Sequence, residues 1–591
     1  MTTTAAVQKG GAWLFEETPE DSVFTSEQMT EEQRLIDKTA LAFVANEVLD
    51  KNEQLETKDW NLARRLLRRS GELGLLGTDV PEAYGGVEFD KVSSAIIASR
   101  LGQSGSFSAT YGTQTGLVIM PIRAFGTAEQ KKKYLPGLVR GETVGAYCLS
   151  ESGSGSDALG AKSRAAAQAD GSFVLNGEKM WITNGGFADL FIVFAKVDRG
   201  QFTAFIVERT WGGVSTGKEE KKLGLLGSST TSVIFQDVKV PAGNLLGEIG
   251  KGQKVAFNVL NYGRFKLGAS TMGGLQTVIG ESARYAAQRH QFGQPIASFG
   301  AIKHKLGEMA VGAYAIESMV FRIAGLIDAA LEDDKRGASA DASLLATLEE
   351  YAIESSILKV AGSETLHDAT DENVQVHGGN GYVQDYPAER HYRDSRVNRI
   401  FEGTNEINRL LIPSMLVKRA LKGSLPLIAA AKQLQDEIMS PFPAIALGDG
   451  LLEEQSRAVG MFKKVALAVL GLALQTYGQK LSDQQEVLLF TADILIDTFG
   501  AESVVLRAKQ AGAKGKATAE LQADAARAYV HDAAMRIDAA ARVALAAMAE
   551  GDTLRIHLAA LRRILKVAPV NVVAIRRRLA DESVERSGYI F

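Results

Sequence analysis

The chain has 591 residues, 46% of them hydrophobic and 23% charged, with a formal net charge of −4, a balance that describes a globular protein and does not favour nucleic acid as a partner. A single cysteine, Cys148, excludes an internal disulfide, and seven scattered histidines form no zinc-spaced cluster, so metal-free chemistry in a reducing compartment is expected. That length exceeds what one core supports and leaves room for a cleft between domains.

Residues 1–29 read as an extended N-terminal segment whose first part lacks both an apolar signal core and an Arg-rich transit pattern. The longest apolar run, 465–474, is about half of what a membrane-spanning helix needs. A cytoplasmic location is therefore expected, and a mitochondrial one only if a leader has already been removed. From Thr30 to residue 143 the pattern is helical. Thr30 and Gln33 have capping-box spacing, and Leu35, Ile36, Ala40, Phe43, Val44 and Val48 follow on helical periods. Residues 144–255 change character to a β domain: Asn176-Gly177 stands between β-rich runs, Asp198-Arg199-Gly200 separates 190–197 from 202–207, and 231–240 is rich in β-branched residues. Helical periodicity returns over 256–424, where Ile302, Leu306, Met309, Ala313, Ile316, Val320, Ile323 and Ile327 form a bundle seam. Pro426, Pro441, Pro443 and Gly448-Asp449-Gly450 mark a linker over 425–450, and 451–591 reads as a further helical domain.

Several segments carry chemistry. The loop Tyr147-Cys148-Leu149-Ser150-Glu151-Ser152-Gly153-Ser154-Gly155-Ser156 offers amides and hydroxyls to a phosphate or a heterocycle edge, although it has neither the Rossmann nor the Walker spacing and also suits a plain turn. In Trp181-Ile182-Thr183 a ring and a hydroxyl share one strand face, as a flat cofactor requires, though a lone strand tryptophan is more often core. Arg289, three residues before Phe292, pairs a cation with an aromatic beside a turn and suits a pyrophosphate; the alternative is an ordinary surface arginine. Gln375, Val376, His377, Gly378 and Gly379 allow close approach of a ligand to backbone. Glu402 follows Phe401 and precedes Gly403, Thr404 and Asn405 at a predicted helix start, where a solvated carboxylate near a helix dipole is the alternative.

In this order and at these separations, the segments resemble the acyl-CoA dehydrogenase family over nearly the whole chain. The likeness is greatest to its very-long-chain branch, which shares the Asn261-Tyr262-Gly263-Arg264-Phe265 type of segment and a C-terminal helical extension. The resemblance implies a mainly α fold with an inserted β domain, FAD as cofactor and a fatty acyl-CoA substrate. It implies that 147–156 line the flavin, that Trp181 shields its ring, that Thr183 bonds near N5 and that Arg289 meets the pyrophosphate. Residues 375–379 would hold the adenosine of a neighbouring subunit's FAD in a homodimer, and Gly403, Thr404 and Asn405 would complete the site. Ser156, Asn261, Tyr262, Gly263, Arg264 and Phe401 would contact substrate, and Glu402 would be the base. Some branches place that carboxylate at the position of Gly263 instead. Ser152 departs from the family's usual proline, and a small loop change is expected. The reaction implied is α,β-dehydrogenation of a long-chain acyl-CoA with electrons passed to electron-transferring flavoprotein; an acyl-CoA oxidase and a respiratory-complex assembly factor are the rivals. Basic amphipathic stretches at 457–480 and 555–578 suit either an anionic membrane surface or a bundle with a basic outer face.

Overall fold

The computed structural model describes residues 7–334, 339–439 and 450–591. The first long helix, Glu31–Phe43, starts at the expected capping box: Thr30 Oγ1 accepts from the Gln33 amide at 3.1 Å, and Gln33 Oε1 accepts from the Thr30 amide at 2.9 Å. Ile36, Ala40, Phe43, Val44 and Val48 point into the core. Leu35 does not; it is 65% exposed, one residue round the helix from the buried stripe.

The β domain runs through β1 (Gly145–Cys148), β2 (Arg164–Ala167), β3 (Phe173–Thr183), β4 (Leu190–Val197), β5 (Gln201–Glu208), β6 (Val214–Thr216), β7 (Thr230–Val240) and β8 (Leu245–Leu246). They form one sheet in the order β6-β7-β3-β2-β4-β5-β8, with β1 alongside β4 in parallel. The expected β4–β5 hairpin turns at Asp198-Arg199-Gly200, where Asp198 and Gly200 take φ of 41° and 92°. Asn176-Gly177 is not a turn. It lies inside β3, where the register against β7 slips between Leu175 and Gly177 and Gly177 takes φ 154°, so the dipeptide marks a bulge. Strand β4 is apolar without alternation because both its faces are covered: Ile192 and Phe194 meet one cluster, Phe191 and Val193 the other.

The next helix, Gly252–Gln288, begins soon after β8 and packs beside Gly300–Asp334 and Ala352–His377. The predicted seam on Gly300–Asp334 is buried from Leu306 onward, with Ile302 at its partly exposed edge. Tyr314, Ala315, Met319 and Phe321 are buried as well, so the helix is central and covered on all sides. By length and composition it and Glu453–Asp483 are long and apolar enough to cross a membrane, more than the run 465–474 suggested; within the fold, 83% and 50% of their apolar windows are buried. Inside 425–450, Leu427–Met439 is helical; Pro441, Pro443, Gly448 and Asp449 lie outside the described residues.

Helices Glu453–Tyr477, Gln485–Ala513, Ala519–Met548, Gly551–Ile564 and Val572–Glu585 make the last domain, and the final one returns to pack on Gly300–Asp334. Much of the apolar side of both basic stretches packs inside the fold: Val465, Val469 and Leu470, and likewise Leu561, Ile564 and Ile575, are buried, whereas Ile556 and Val573 stand exposed. Arg576 is paired with Asp532 at 2.6 Å and Lys463 with Glu502 at 2.5 Å. The N-terminal segment is a strap across the molecule. Trp13 is 1% exposed, stands edge-on to Phe499 at 5.1 Å and donates to Glu354 at 3.0 Å, while Glu27 and Glu317 clasp the fully buried Arg507.

Candidate active site

A short 3-10 turn, Arg396–Arg399, delivers the chain to Glu402 and Gly403, whose φ values of 57° and 79° are both left-handed. For glutamate this conformation costs about 1–2 kcal/mol, strain of the kind that functional sites hold in place from outside. Here the restraint is dense. Arg264 Nε donates to the Glu402 carbonyl at 3.2 Å, Asn408 Nδ2 donates to the carbonyls of Gly403 and Thr404 at 2.8 and 3.0 Å, and Lys359 Nζ donates to the Gly403 carbonyl at 2.7 Å. Thr404 then caps the helix Asn405–Leu421.

The reversal turns the Glu402 side chain inward against the Gly252–Gln288 helix. Its Oε2 is shielded from solvent and has no hydrogen-bond partner, and a Cβ added at Gly263 would stand 2.6 Å from that oxygen. Positions 263 and 402 thus address one point in space, and only one of them can carry a side chain there. Burial lifts the Glu402 carboxyl from 4.5 to about 7, against the downward pull of Arg264 and Lys359. Burial also brings Arg264 down to about 10 and Lys359 to about 7, and the Glu402 charge opposes both shifts. Tyr147 belongs to the same pocket: its hydroxyl is buried and unpartnered, and burial together with the Glu402 charge holds its pKa far up.

The 149–157 loop is tied down from beneath. Glu151 is held by Lys179 at 2.7 Å and Ser163 Oγ at 2.6 Å, which pulls its carboxyl down to about 2, and it closes a backbone bridge with Ser154. Sequence reasoning passed over Lys179; its one signal is a lysine at an inward position of an alternating strand. Ser152 stands exposed on this loop, as does Ser156. Trp181 sits on a second bulge of β3, where a register shift and φ 57° turn its ring outward, 59% exposed, with Thr183 on the same side. Several named residues can offer only backbone, because the side chains of Cys148, Ile182 and Val376 lie in the core. Tyr262 is turned into the core: its hydroxyl donates to the buried Asp79 at 2.6 Å, inside a cluster with Lys91 and Lys266.

Arg289 and Phe292 are elsewhere. They lie on the hairpin that follows the Gly252–Gln288 helix, about 39 Å of helix beyond Gly263 at 1.5 Å per residue. The 375–379 segment is at that same far end, where His377 stacks on Tyr285 at 4.1 Å. Within one chain, then, Arg289, Phe292 and 375–379 lie at the opposite end of this helix from Gly263 and Glu402. The residues themselves suit FAD: Trp181 and the 93% exposed Phe292 offer open rings, and a Cβ at Gly153, Gly155, Gly378 or Gly379 would meet no atom within 4 Å.

Models of the acyl-CoA dehydrogenase N-terminal, middle and C-terminal domains match residues 30–142, 146–238 and 250–416, and a further C-terminal domain model of the same family matches 461–563. A probable acyl-CoA dehydrogenase of Bacillus subtilis is 48% identical over 99% of both chains. The mitochondrial very long-chain specific acyl-CoA dehydrogenase of Bos taurus is 33% identical over 88% of this chain and 80% of its own. Among solved structures, an acyl-CoA dehydrogenase complexed with FAD from Bacillus anthracis is similar with a TM-score of 0.96 and 47% identity, covering 99% of this chain and 100% of that one. Butyryl-CoA dehydrogenase from Megasphaera elsdenii aligns at a TM-score of 0.60 and 34% identity over 66% of this chain and 99% of its own.

Proposed function

This chain belongs to the acyl-CoA dehydrogenase family of FAD-dependent oxidoreductases, and from that premise we propose that Glu402 removes the α-proton of a long-chain fatty acyl-CoA. The observation that carries the reading is the inward carboxylate, shielded, unpartnered at Oε2 and lifted to about 7. An α-proton of a thioester is only weakly acidic, so a base near neutrality is stronger than an ordinary carboxylate yet still ionised in useful amount. Arg264, Asn408 and Lys359 occupy the carbonyls around Glu402, which fixes the direction from which it attacks. Among the described residues the Glu402 amide has no acceptor, so it is free to donate to the thioester oxygen as charge builds there. When bound, FAD supplies the oxidant that accepts the β-hydrogen with its electron pair. Trp181 shields the ring side of that compartment, and the buried wall around Tyr147 excludes water.

The finer assignments are proposals of the same kind. Long-chain preference and transfer to electron-transferring flavoprotein rest on similarity to the very-long-chain enzymes over most of both chains. The homodimer rests on the separation of the two cofactor-type groups, which a second copy would bring to one site. Glu402→Gln is expected to purify with FAD bound and to show no flavin bleaching on addition of acyl-CoA; bleaching at the wild-type rate refutes the assignment. A ladder of acyl-CoA lengths, read with electron-transferring flavoprotein and with oxygen, tests the substrate class and separates a dehydrogenase from an oxidase.

A further inference from the structure

The restraint on the Glu402 loop does not end at Lys359. Lys359 is fully buried on the Ala352–His377 helix, and besides the Gly403 carbonyl it donates to Asn405 Oδ1 at 2.6 Å. Asn405, the first residue of the helix after the loop, donates in turn to Ser363 Oγ at 3.1 Å and Glu364 Oε1 at 2.8 Å. Glu364 takes a bidentate fork from Arg409 at 2.6 and 2.7 Å, and Arg409 Nε donates to Asp493 at 2.7 Å. Asp493 lies on Gln485–Ala513, a helix of the last domain. A continuous path of charge-assisted hydrogen bonds therefore joins that domain to the carbonyl that follows the catalytic carboxylate.

We propose that the C-terminal domain positions the catalytic loop through this path, with Lys359 as the positioning residue for Glu402 and Asp493 as the outer anchor. The proposal rests on the reading of Glu402 as the base. Two consecutive left-handed residues have no intrinsic preference for their conformation, so their carbonyls must be held from outside. The planar Arg409 fork is suited to this because it fixes the Asn405–Leu421 helix in both distance and angle between two neighbours. Lys359 has an electrostatic role as well. The charged groups facing Glu402 are Arg264 from the Gly252–Gln288 helix and Lys359, with the Tyr147 hydroxyl from β1; those facing Lys359 are Glu402, Arg264, Glu364 and Glu406. Removing the Lys359 cation lets the Glu402 pKa rise.

The test uses full-length holoenzyme carrying Lys359→Met, Lys359→Arg, Asp493→Asn and the Lys359→Met/Asp493→Asn pair, with Glu402→Gln alongside. Lys359→Met is expected to lower the maximal rate of flavin reduction by about tenfold with little change in KM, and to move the acid limb of its pH profile upward, while Lys359→Arg returns the limb toward its wild-type position. Asp493→Asn, at a partly exposed position, is expected to lower the rate several-fold at unchanged KM and FAD content, and to speed amide exchange over 401–408. The double variant is expected to be no slower than Lys359→Met. Asp493→Asn with wild-type rate and exchange, or single losses that multiply in the double variant, overturns the path. If Glu402→Gln still reduces flavin, it is the base assignment that fails; if Glu402→Gln is silent while Asp493→Asn behaves as wild type, only this inference does.

Discussion

Gly263→Ala sets stability against catalysis at one atom. Alanine is favoured over glycine in a helix interior by about 1 kcal/mol, so on backbone grounds the variant gains stability. Its Cβ, however, would stand 2.6 Å from Glu402 Oε2, 2.9 Å from Cδ and 3.1 Å from Oε1, where ordinary contact begins at 3.4 Å. The carboxylate must retreat by about 0.8 Å, and a displacement near 1 Å is worth about a hundredfold in rate, or roughly 2.7 kcal/mol of barrier. Stopped-flow flavin bleaching at saturating acyl-CoA and a thermal melt on the same preparation check both halves. The expected outcome is an unchanged or raised Tm with bleaching slowed by one to two orders of magnitude. Bleaching at the wild-type rate would show that the carboxylate does not work from where the fold puts it.

Three further outcomes follow from distances and charges. Because Arg289 lies about 39 Å along the helix from Gly263, where Glu402 of the same chain sits, mixing Arg289→Ala with Glu402→Gln subunits should create hybrids with one intact site, recovering about a quarter of wild-type turnover; no recovery after proven subunit exchange argues against a shared site. Glu402 is raised from 4.5 to about 7 in the fold, so the stability its protonated form contributes is complete below pH 4.5 and lost as pH climbs through 7. Glu402→Gln should therefore be more stable than wild type by about 3 kcal/mol at pH 8 and by almost nothing at pH 4, as urea melts at the two pH values would report. Asp79→Asn removes the partner of Lys91 and leaves Lys266 without its nearest counter-charge in the core, so a loss of about 3–5 kcal/mol is expected, visible as a sharp fall in Tm.

The order of domains was legible because each has its own period: the capping box at Thr30 and Gln33, the β-branched runs around Asp198-Arg199-Gly200, and the seam from Leu306 to Ile327 are local patterns. The family could be read from motifs for the same reason, since each is a short stretch of residues at set spacing. Where local reading failed, contacts distant in sequence decided. Asn176-Gly177 suits a hairpin by itself, yet β7 supplies a partner on both sides of it and makes it a bulge.

Glu402 shows the division most sharply. Its identity and neighbours are in the sequence, where a glutamate before a glycine reads equally as a solvated surface group. That its Oε2 is shielded and faces Gly263, and that its loop is held by Arg264, Asn408 and Lys359, depends on three helices converging on one loop. A sequence records which groups are available; desolvation and the nearness of the Arg264 and Lys359 charges arise only when segments remote along the chain are brought together, and burial against that opposing pull sets the carboxyl near 7.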